Sequence, residues 1–150
     1  ERCLKIDELA AVRIERPEPY LVRQGDVLFL SRGHRLYATA ITMSVTNVIA
    51  TGYFFILHPT NGVDPQYLEW YLNAPIFQEQ LRPLVRGSHM PLISKADFQE
   101  LSIHVPKLET QIQIGNVYRL SEYQKQIERE LQSKRAELLR AVCETAARKS

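Results

Sequence analysis

The chain has 150 residues and a formal net charge of +2, which suits one domain, or one domain with an appendage. Its contents of 45% hydrophobic and 24% charged residues are typical of a folded globular protein and exclude the disordered, collagen-like and low-complexity classes. The sequence contains neither the roughly 18-residue apolar run of a membrane span nor an apolar signal core near its first residues, so we expect a cytoplasmic protein without membrane contact.

The first half of the chain predicts a small group of strands. Gly25-Asp26 is typical of a turn, and the short apolar run that follows at 27–30 indicates a strand buried on both faces. A polar loop with one glycine comes next, at 31–35. Residues 36–58 are rich in Thr, Val, Ile, Tyr and Phe, which favour two or three further strands, the last at 53–57.

Two short helices are predicted after these strands. Asp64 followed by Pro65 is typical of a helix N-cap with proline at the first helical position, and apolar residues then recur at helical spacing as far as Asn73. Pro75 interrupts this helix and begins a second one, which we expect to stop near Pro83.

The next segment predicts a helical turn and then a strand. Residues 94–97 form a capping box, with Ser94 as N-cap and Asp97 three residues later, which opens one or two helical turns. Leu101, Ile103 and Val105 alternate with polar residues, which is typical of a half-buried strand. The sequence up to this point therefore predicts a compact α+β domain of mixed strands and helices.

One long helix is predicted for the rest of the chain. A second capping box starts at Thr110, and no Gly or Pro follows Gly115, so we expect about 35 to 39 helical residues, on the order of 55 Å long. The a and d positions of a heptad repeat, which would form a coiled-coil seam, are Val117, Leu120, Gln124, Ile127, Leu131, Lys134, Leu138 and Ala141.

The polar residues Gln124 and Lys134 would weaken a coiled coil but help to fix its register. A helix lying along its own domain is the alternative to pairing with another helix. We favour pairing, because a domain of about 110 residues is only about 30 to 35 Å across and cannot cover such a helix. The expected organisation is a globular domain at 1–109 and a coiled-coil helix at 110–150.

No group of residues has a recognisable catalytic or metal-binding pattern. Cys3 and Cys143 lie near opposite ends of the chain, and the 4 histidines are isolated from one another, whereas metal ligands recur at short spacings. The Gly-Lys dipeptide and the G-x-G-x-x-G motif of phosphate-binding loops are absent. We therefore expect no metal, no cofactor and no catalytic residue.

Charge is sorted along the chain. Residues 27–63 and 80–96 contain no Asp or Glu, and the arginines and histidines of these two acid-free windows would build a positive face on a nearly neutral protein. The alternative is that core strands simply lack acids and a few arginines follow their ends.

Four segments occur in the order and spacing of a known family. They are GDVLFLSRG at 25–33, YLEWYLN at 67–73, Gly87-Ser88 with PLISKADF at 91–98, and LSIHVPKLETQ at 101–111. Together they resemble the specificity (S) subunit of type I restriction-modification systems.

The resemblance implies that the globular part is a target recognition domain that reads double-stranded DNA. It implies that the long helix is a spacer and a docking surface for DNA methyltransferase (modification) subunits. A restriction subunit is a further partner that the resemblance allows. Specificity subunits carry two recognition domains and two helices, whereas this chain has one of each. We therefore expect a half-subunit that forms a homodimer through its helix, or a fragment that lacks its front.

Candidate DNA-contact residues lie in the glycine-bearing loops of the acid-free windows. They are Arg32, Gly33, His34, Arg35, Arg86, Ser88, His89 and Lys95. Arginine can bind phosphates or the O6/N7 edge of guanine, and a solvated loop residue is the alternative for each. Tyr67, Trp70 and Tyr71 could stack on bases, but we expect them in the core.

These observations favour a sequence-specific DNA-binding subunit without catalytic activity, which directs an adenine methyltransferase and restriction complex to its site. The alternative is a protein-interaction module that assembles through its C-terminal helix and binds no DNA.

Overall fold

The computed structural model describes residues 18–148. Cys3 lies outside the described residues, so the expected separation of Cys3 from Cys143 stays a prediction. The chain divides into two compact units, one ending at Gly115 and one starting at Asn116.

A three-stranded antiparallel sheet lies at the centre of the first unit. Its strands are β1 (Val27–Leu30), β2 (Ala38–Ala40) and β3 (Phe54–Leu57), in the order β2-β1-β3. Val27 of the central strand is paired with Ala40 on one side and with Leu57 on the other. The first three residues of β1 are buried, which confirms the predicted strand. The two further strands predicted between residues 36 and 58 are β2 and β3.

Two helices follow the sheet as predicted. Helix α1 (Pro65–Asn73) begins after Asp64, whose side chain accepts a hydrogen bond from the Tyr67 backbone nitrogen at 2.8 Å. Helix α2 (Pro75–Leu81) ends in a 3₁₀ turn at Arg82–Leu84. Proline is therefore tolerated at the start of each helix, where its missing N–H leaves no hydrogen bond unmade.

Apolar side chains cover both faces of the sheet. Because neighbouring strand residues point to opposite faces, Val27 and Phe29 belong to one cluster and Leu28 to another. The larger cluster lies between the sheet and the helices, and contains Val27, Phe29, Ala38, Tyr67, Leu68, Tyr71, Leu72, Phe77, Leu81, Ile93 and Phe98. Trp70 packs against it, so the core role predicted for the three helix aromatics is confirmed.

Helix α3 (Lys95–Gln99) has the predicted capping box. Ser94 Oγ accepts a hydrogen bond from the Asp97 backbone nitrogen at 3.0 Å and donates one to Asp97 Oδ2 at 2.7 Å. The first bond satisfies a backbone donor that the first turn of a helix leaves free, and the second joins the two side chains.

The strand predicted at 101–105 is wrong. This segment is irregular in the structure, although Leu101 and Ile103 are half-buried against the larger cluster. A side chain, and not a neighbouring strand, binds this segment. The Tyr67 Oη donates a hydrogen bond to the His104 carbonyl oxygen at 2.6 Å. Burial, with a smaller contribution from Tyr71, raises the pKa of the Tyr67 hydroxyl, which keeps it a hydrogen-bond donor.

Helix α4 (Leu108–Arg148) has 41 residues. The long helix is confirmed, but its predicted start at Thr110 is wrong. The Gln111 backbone nitrogen donates to the Lys107 carbonyl oxygen at 3.1 Å, so helical hydrogen bonding begins ahead of Thr110. The domain boundary predicted at 109/110 stays a prediction.

The first turns of α4 are fixed within the first unit by a buried glutamine. Gln111 is 1% exposed. Its Oε1 accepts from the Asp64 backbone nitrogen at 2.9 Å, and its Nε2 donates to the carbonyl oxygens of Gly62 at 2.8 Å and Pro106 at 2.7 Å. One turn further, a Cβ on Gly115 would lie 3.0 Å from Asp64 Oδ1, so glycine allows the close approach of α1.

The second unit is the remainder of α4, from Asn116 onward. The large apolar residues of the predicted heptad seam are all exposed, and they are Val117, Leu120, Ile127, Leu131 and Leu138. The two polar seam residues bind acids of their own helix, Gln124 Nε2 to Glu128 Oε1 and Lys134 Nζ to Glu137 Oε2, both at 2.9 Å. The helix therefore has the pattern of a coiled-coil strand. None of the helices in residues 18–148 combines the length and apolarity needed to cross a membrane.

Candidate nucleic-acid interface

The first predicted loop connects β1 to β2. The Leu30 backbone nitrogen donates to the Tyr37 carbonyl oxygen at 2.8 Å and closes the 31–36 loop. Gly33 has a φ of +134°, a conformation that residues with a Cβ rarely adopt. Arg32, His34 and Arg35 are all exposed in this loop. The sequence therefore predicted correctly that these side chains lie at the surface.

The second predicted loop is a short hairpin that follows α2 and its 3₁₀ turn. Arg86 and Leu92 exchange both of their backbone hydrogen bonds, each at 2.8 Å, and we call residues 86–92 the finger. At Gly87, φ is +92°, and a Cβ there would lie 3.0 Å from the Met90 carbonyl oxygen. Glycine is thus required for the turn, and it leaves Ser88, His89 and Met90 exposed at the tip.

Backbone hydrogen bonds join the 31–36 loop to the finger. The Gly33 nitrogen donates to the Pro91 carbonyl oxygen at 2.8 Å, and the Ile93 nitrogen donates to the Ser31 carbonyl oxygen at 3.0 Å. Arg32 and Leu92 form an isolated antiparallel bridge between these bonds. The exposed residues of the 31–36 loop and of the finger are therefore brought together at one surface.

Lys95 belongs to the same region of the chain. It is the exposed first residue of α3 and follows two residues after Ile93. Asp97, on the same helix, brings one carboxylate to the region, because its Oδ2 lies 3.7 Å from Nη2 of Arg86. This ion pair is long and the Arg86 side chain is largely exposed, so solvent screens it and Arg86 can still bind an anion.

Tyr53 is a member of this surface that sequence reasoning missed. Its carbonyl oxygen accepts hydrogen bonds from the Ser31 backbone nitrogen and from Ser31 Oγ, both at 2.8 Å. Its side chain is 49% exposed, and the Arg32 guanidinium carbon lies 5.3 Å from the ring centroid, within the range of a cation–π interaction. The sequence assigned Tyr53 to a strand at 53–57, and nothing in the local sequence placed it beside Arg32.

His58 lies in an acid-free window but outside this surface. Its Nδ1 is 2.7 Å from Oδ1 of the buried Asp26. Asp26 directly precedes β1, whereas Arg32 follows its end, so the pair lies at the opposite end of the strand. Residues 18–148 contain no group of three His, Cys, Asp or Glu residues that could hold a metal ion.

The surface combines exposed arginines, hydroxyl and imidazole groups, and an exposed aromatic ring on a fixed backbone. Such groups bind phosphate oxygens and the edges of bases. Comparison with known proteins agrees with this chemistry. A family model described as "Type I restriction modification DNA specificity domain" matches residues 12–138, a range that contains both loops and most of α4. No curated protein gives a significant match to the chain. The match confirms the resemblance seen in the sequence, and the chain belongs to the family of type I restriction modification DNA specificity domains.

Proposed function

We propose that the protein is the DNA-reading specificity subunit of a type I restriction-modification system and directs an adenine methyltransferase and restriction complex to its target. The family supports a role in DNA specificity. The observation that carries the proposal is the backbone junction between the 31–36 loop and the finger. It brings the exposed cations of the 31–36 loop and the finger, Arg32, Arg35 and Arg86, to one surface, and a DNA-binding surface requires such a concentration of positive charge.

In this proposal the subunit has no catalytic activity and no cofactor of its own. Methyl transfer and DNA cleavage belong to the modification and restriction subunits. The contact residues proposed for double-stranded DNA are those predicted from the sequence, namely Arg32, Gly33, His34, Arg35, Arg86, Ser88, His89 and Lys95. A subunit that reads host DNA would act in the cytoplasm.

The exposed apolar residues of α4 support a second part of the proposal. Val117, Leu120, Ile127, Leu131 and Leu138 would form the seam of a homodimer, with Gln124 and Lys134 fixing its register. The remaining faces of the helix would then be available to methyltransferase subunits. We accordingly propose that residues 1–109 form the recognition domain, which binds DNA, and that residues 110–150 form the dimerisation helix.

The same exposed seam favours one alternative function. A protein-interaction module would use α4 to join another assembly, and its globular unit would bind no DNA. The two functions differ in a single measurement, because only the specificity subunit binds duplex DNA with an affinity that depends on salt.

A mobility-shift titration with mixed duplex DNA at several salt concentrations tests the proposal. We expect log K to fall with log salt by several units, because each neutralised phosphate contributes a slope of about −0.9. Arg35→Ala should reduce this slope by about one unit for each phosphate that Arg35 contacts. The matched control is Arg23→Ala, since Arg23 is also exposed but precedes β1, at the end of the strand away from the loop.

Binding that does not change with salt, or the absence of any binding, would contradict the proposal and favour the interaction module. If Arg35→Ala and the unmutated protein show equal salt slopes, the protein still binds DNA, but Arg35 does not contact a phosphate.

A further inference from the structure

The backbone of Arg32 is held on both sides. Its neighbour Ser31 is fixed to Tyr53 by two hydrogen bonds and to Ile93 by a third. Its other neighbour, Gly33, donates to Pro91. Arg32 itself lies opposite Leu92 in the bridge that joins the loop to the finger. The Cα–Cβ direction of this arginine is therefore set by the junction.

The side chain of Arg32 is held as well. Its guanidinium carbon lies 5.3 Å from the centre of the Tyr53 ring, and Tyr53 is anchored through its own carbonyl oxygen to Ser31. Contact with an aromatic face leaves the N–H groups at the edge of a guanidinium free to donate. Because Arg32 remains exposed, those donors can reach a ligand.

The other arginines of the surface are held differently. Arg35 is exposed and makes no ion pair or ring contact within residues 18–148. Arg86 has only the long ion pair with Asp97, at 3.7 Å. Of Arg32, Arg35 and Arg86, Arg32 is the arginine whose side chain is oriented by an uncharged neighbour, Tyr53. This contact does not offset the positive charge of Arg32.

Contacts to phosphates and contacts to base edges require different degrees of orientation from an arginine side chain. A phosphate oxygen accepts hydrogen bonds over a wide range of directions, so a mobile side chain serves it well. A base edge such as the O6/N7 pair of guanine requires the planar guanidinium in one orientation. An arginine that is oriented before binding also loses less side-chain entropy on binding.

We propose that Arg32, held against Tyr53, is the specificity-determining residue that reads a guanine through the major groove, and that Tyr53 is its positioning residue. This inference rests on the proposed function, since it assigns roles within the same surface. It adds that the two loop arginines divide the work, with Arg32 selecting the sequence and Arg35 supplying affinity that is independent of sequence.

The test is a binding selection with the full chain and a pool of duplexes that carry a randomised segment, followed by sequencing. The variants are Arg32→Gln, Tyr53→Leu, Tyr53→Phe and Arg35→Gln. The unmutated protein should enrich a motif with one G·C pair in each half-site that Arg32→Gln no longer prefers, a loss of about 5- to 150-fold in discrimination at that pair. Arg35→Gln should weaken binding to all sequences and leave the preference intact.

Tyr53 should alter selectivity without altering the salt dependence. Tyr53→Leu removes the ring face and should lower the preference at the same base pair as Arg32→Gln, whereas Tyr53→Phe keeps the ring and should keep the preference. In the double variant Arg32→Gln/Tyr53→Leu, the loss should equal that of Arg32→Gln alone, because both changes act on one contact. Thermal melting of each variant separates this effect from unfolding.

Two results would overturn the inference while leaving the proposed function in place. One is an Arg32→Gln variant that binds all sequences more weakly, with a smaller salt slope, since Arg32 would then bind a phosphate. The other is an unchanged preference in folded Tyr53→Leu, which would leave Tyr53 without a positioning role. If the unmutated protein binds no duplex of the pool, the proposed function fails, and the inference fails with it.

Discussion

Replacing Leu131 with Asp is expected to convert the protein from a dimer to a monomer. Leu131 occupies an a position at the middle of the heptad seam and is 48% exposed in the single chain. Pairing of two seams would bury it, and an unpaired carboxylate buried there costs several kcal/mol. Sedimentation at tens of micromolar protein would measure the change, with thermal melting to check that the first unit stays folded.

Leu139→Asp is the matched control for this variant. Leu139 is 66% exposed and lies at a b position of the same heptads, so the same substitution there leaves the seam intact. We expect Leu139→Asp to remain a dimer. An unmutated protein that sediments as a monomer would contradict the homodimer and leave the seam to a partner subunit.

A homodimer also constrains the DNA sequence that is read. Two copies related by a two-fold axis present identical recognition surfaces, so the target should consist of one half-site and its inverted repeat, separated by base pairs that are not read. Methylome sequencing of cells that carry this gene and a type I methyltransferase gene would reveal the motif. Two different halves would indicate pairing with a second specificity chain.

Gln111→Leu should destabilise the first unit strongly. The side chain of Gln111 is fully buried and satisfies the Asp64 nitrogen and the carbonyl oxygens of Gly62 and Pro106. Leucine fills a similar volume but makes none of these hydrogen bonds, and each group that stays buried without a partner costs about 1 to 3 kcal/mol. We expect the free energy of unfolding to fall by about 3 to 5 kcal/mol.

Urea denaturation followed by Trp fluorescence measures this loss, because Trp70 is the 1 tryptophan of the chain and packs against the larger cluster. Gln113→Leu is the control, since Gln113 lies on the same helix but is exposed and should change the stability by less than about 0.5 kcal/mol. If the two variants were equally stable, the buried hydrogen bonds of Gln111 would contribute little.

The elements that were predicted correctly are those whose signals are local. Asp64 and Ser94 cap the helices that follow them through bonds to residues three positions later, so the sequence alone contains both partners. The apolar run of β1 is buried as its composition indicates. Helix α4 was predictable because no Gly or Pro follows Gly115 in the sequence.

The two wrong predictions share a physical cause. The alternation of apolar and polar residues at 101–105 indicates that Leu101 and Ile103 are half-buried. They pack against the larger cluster from an irregular segment, so their burial does not require a paired strand. The first turn of α4 contains Gln111, whose side-chain partners Gly62 and Asp64 are distant in sequence. Tertiary contacts therefore decided both outcomes, and local patterns do not contain them.

The candidate site was accessible to sequence reasoning only in part. Sorting of charge singled out the two acid-free loops, and the family match supports DNA specificity for the matched region as a whole. Their junction through Gly33 and Pro91 could not be predicted, because backbone pairing between distant loops leaves no periodic signal. For the same reason Tyr53 was assigned to a strand and not to the surface. The individual DNA contacts stay predictions.

The junction between the 31–36 loop and the finger is made by main-chain atoms of Ser31, Gly33, Pro91 and Ile93. Main-chain hydrogen bonds are available to almost any residue type, so they impose no choice of side chain on the exposed positions around them. The residues at positions 34, 35, 88 and 89 can therefore be exchanged while the scaffold that presents them is retained. Under the proposed function, substitution of Arg32 together with exposed neighbours such as His34, Ser88 and His89 would change the DNA target while the main-chain junction is retained.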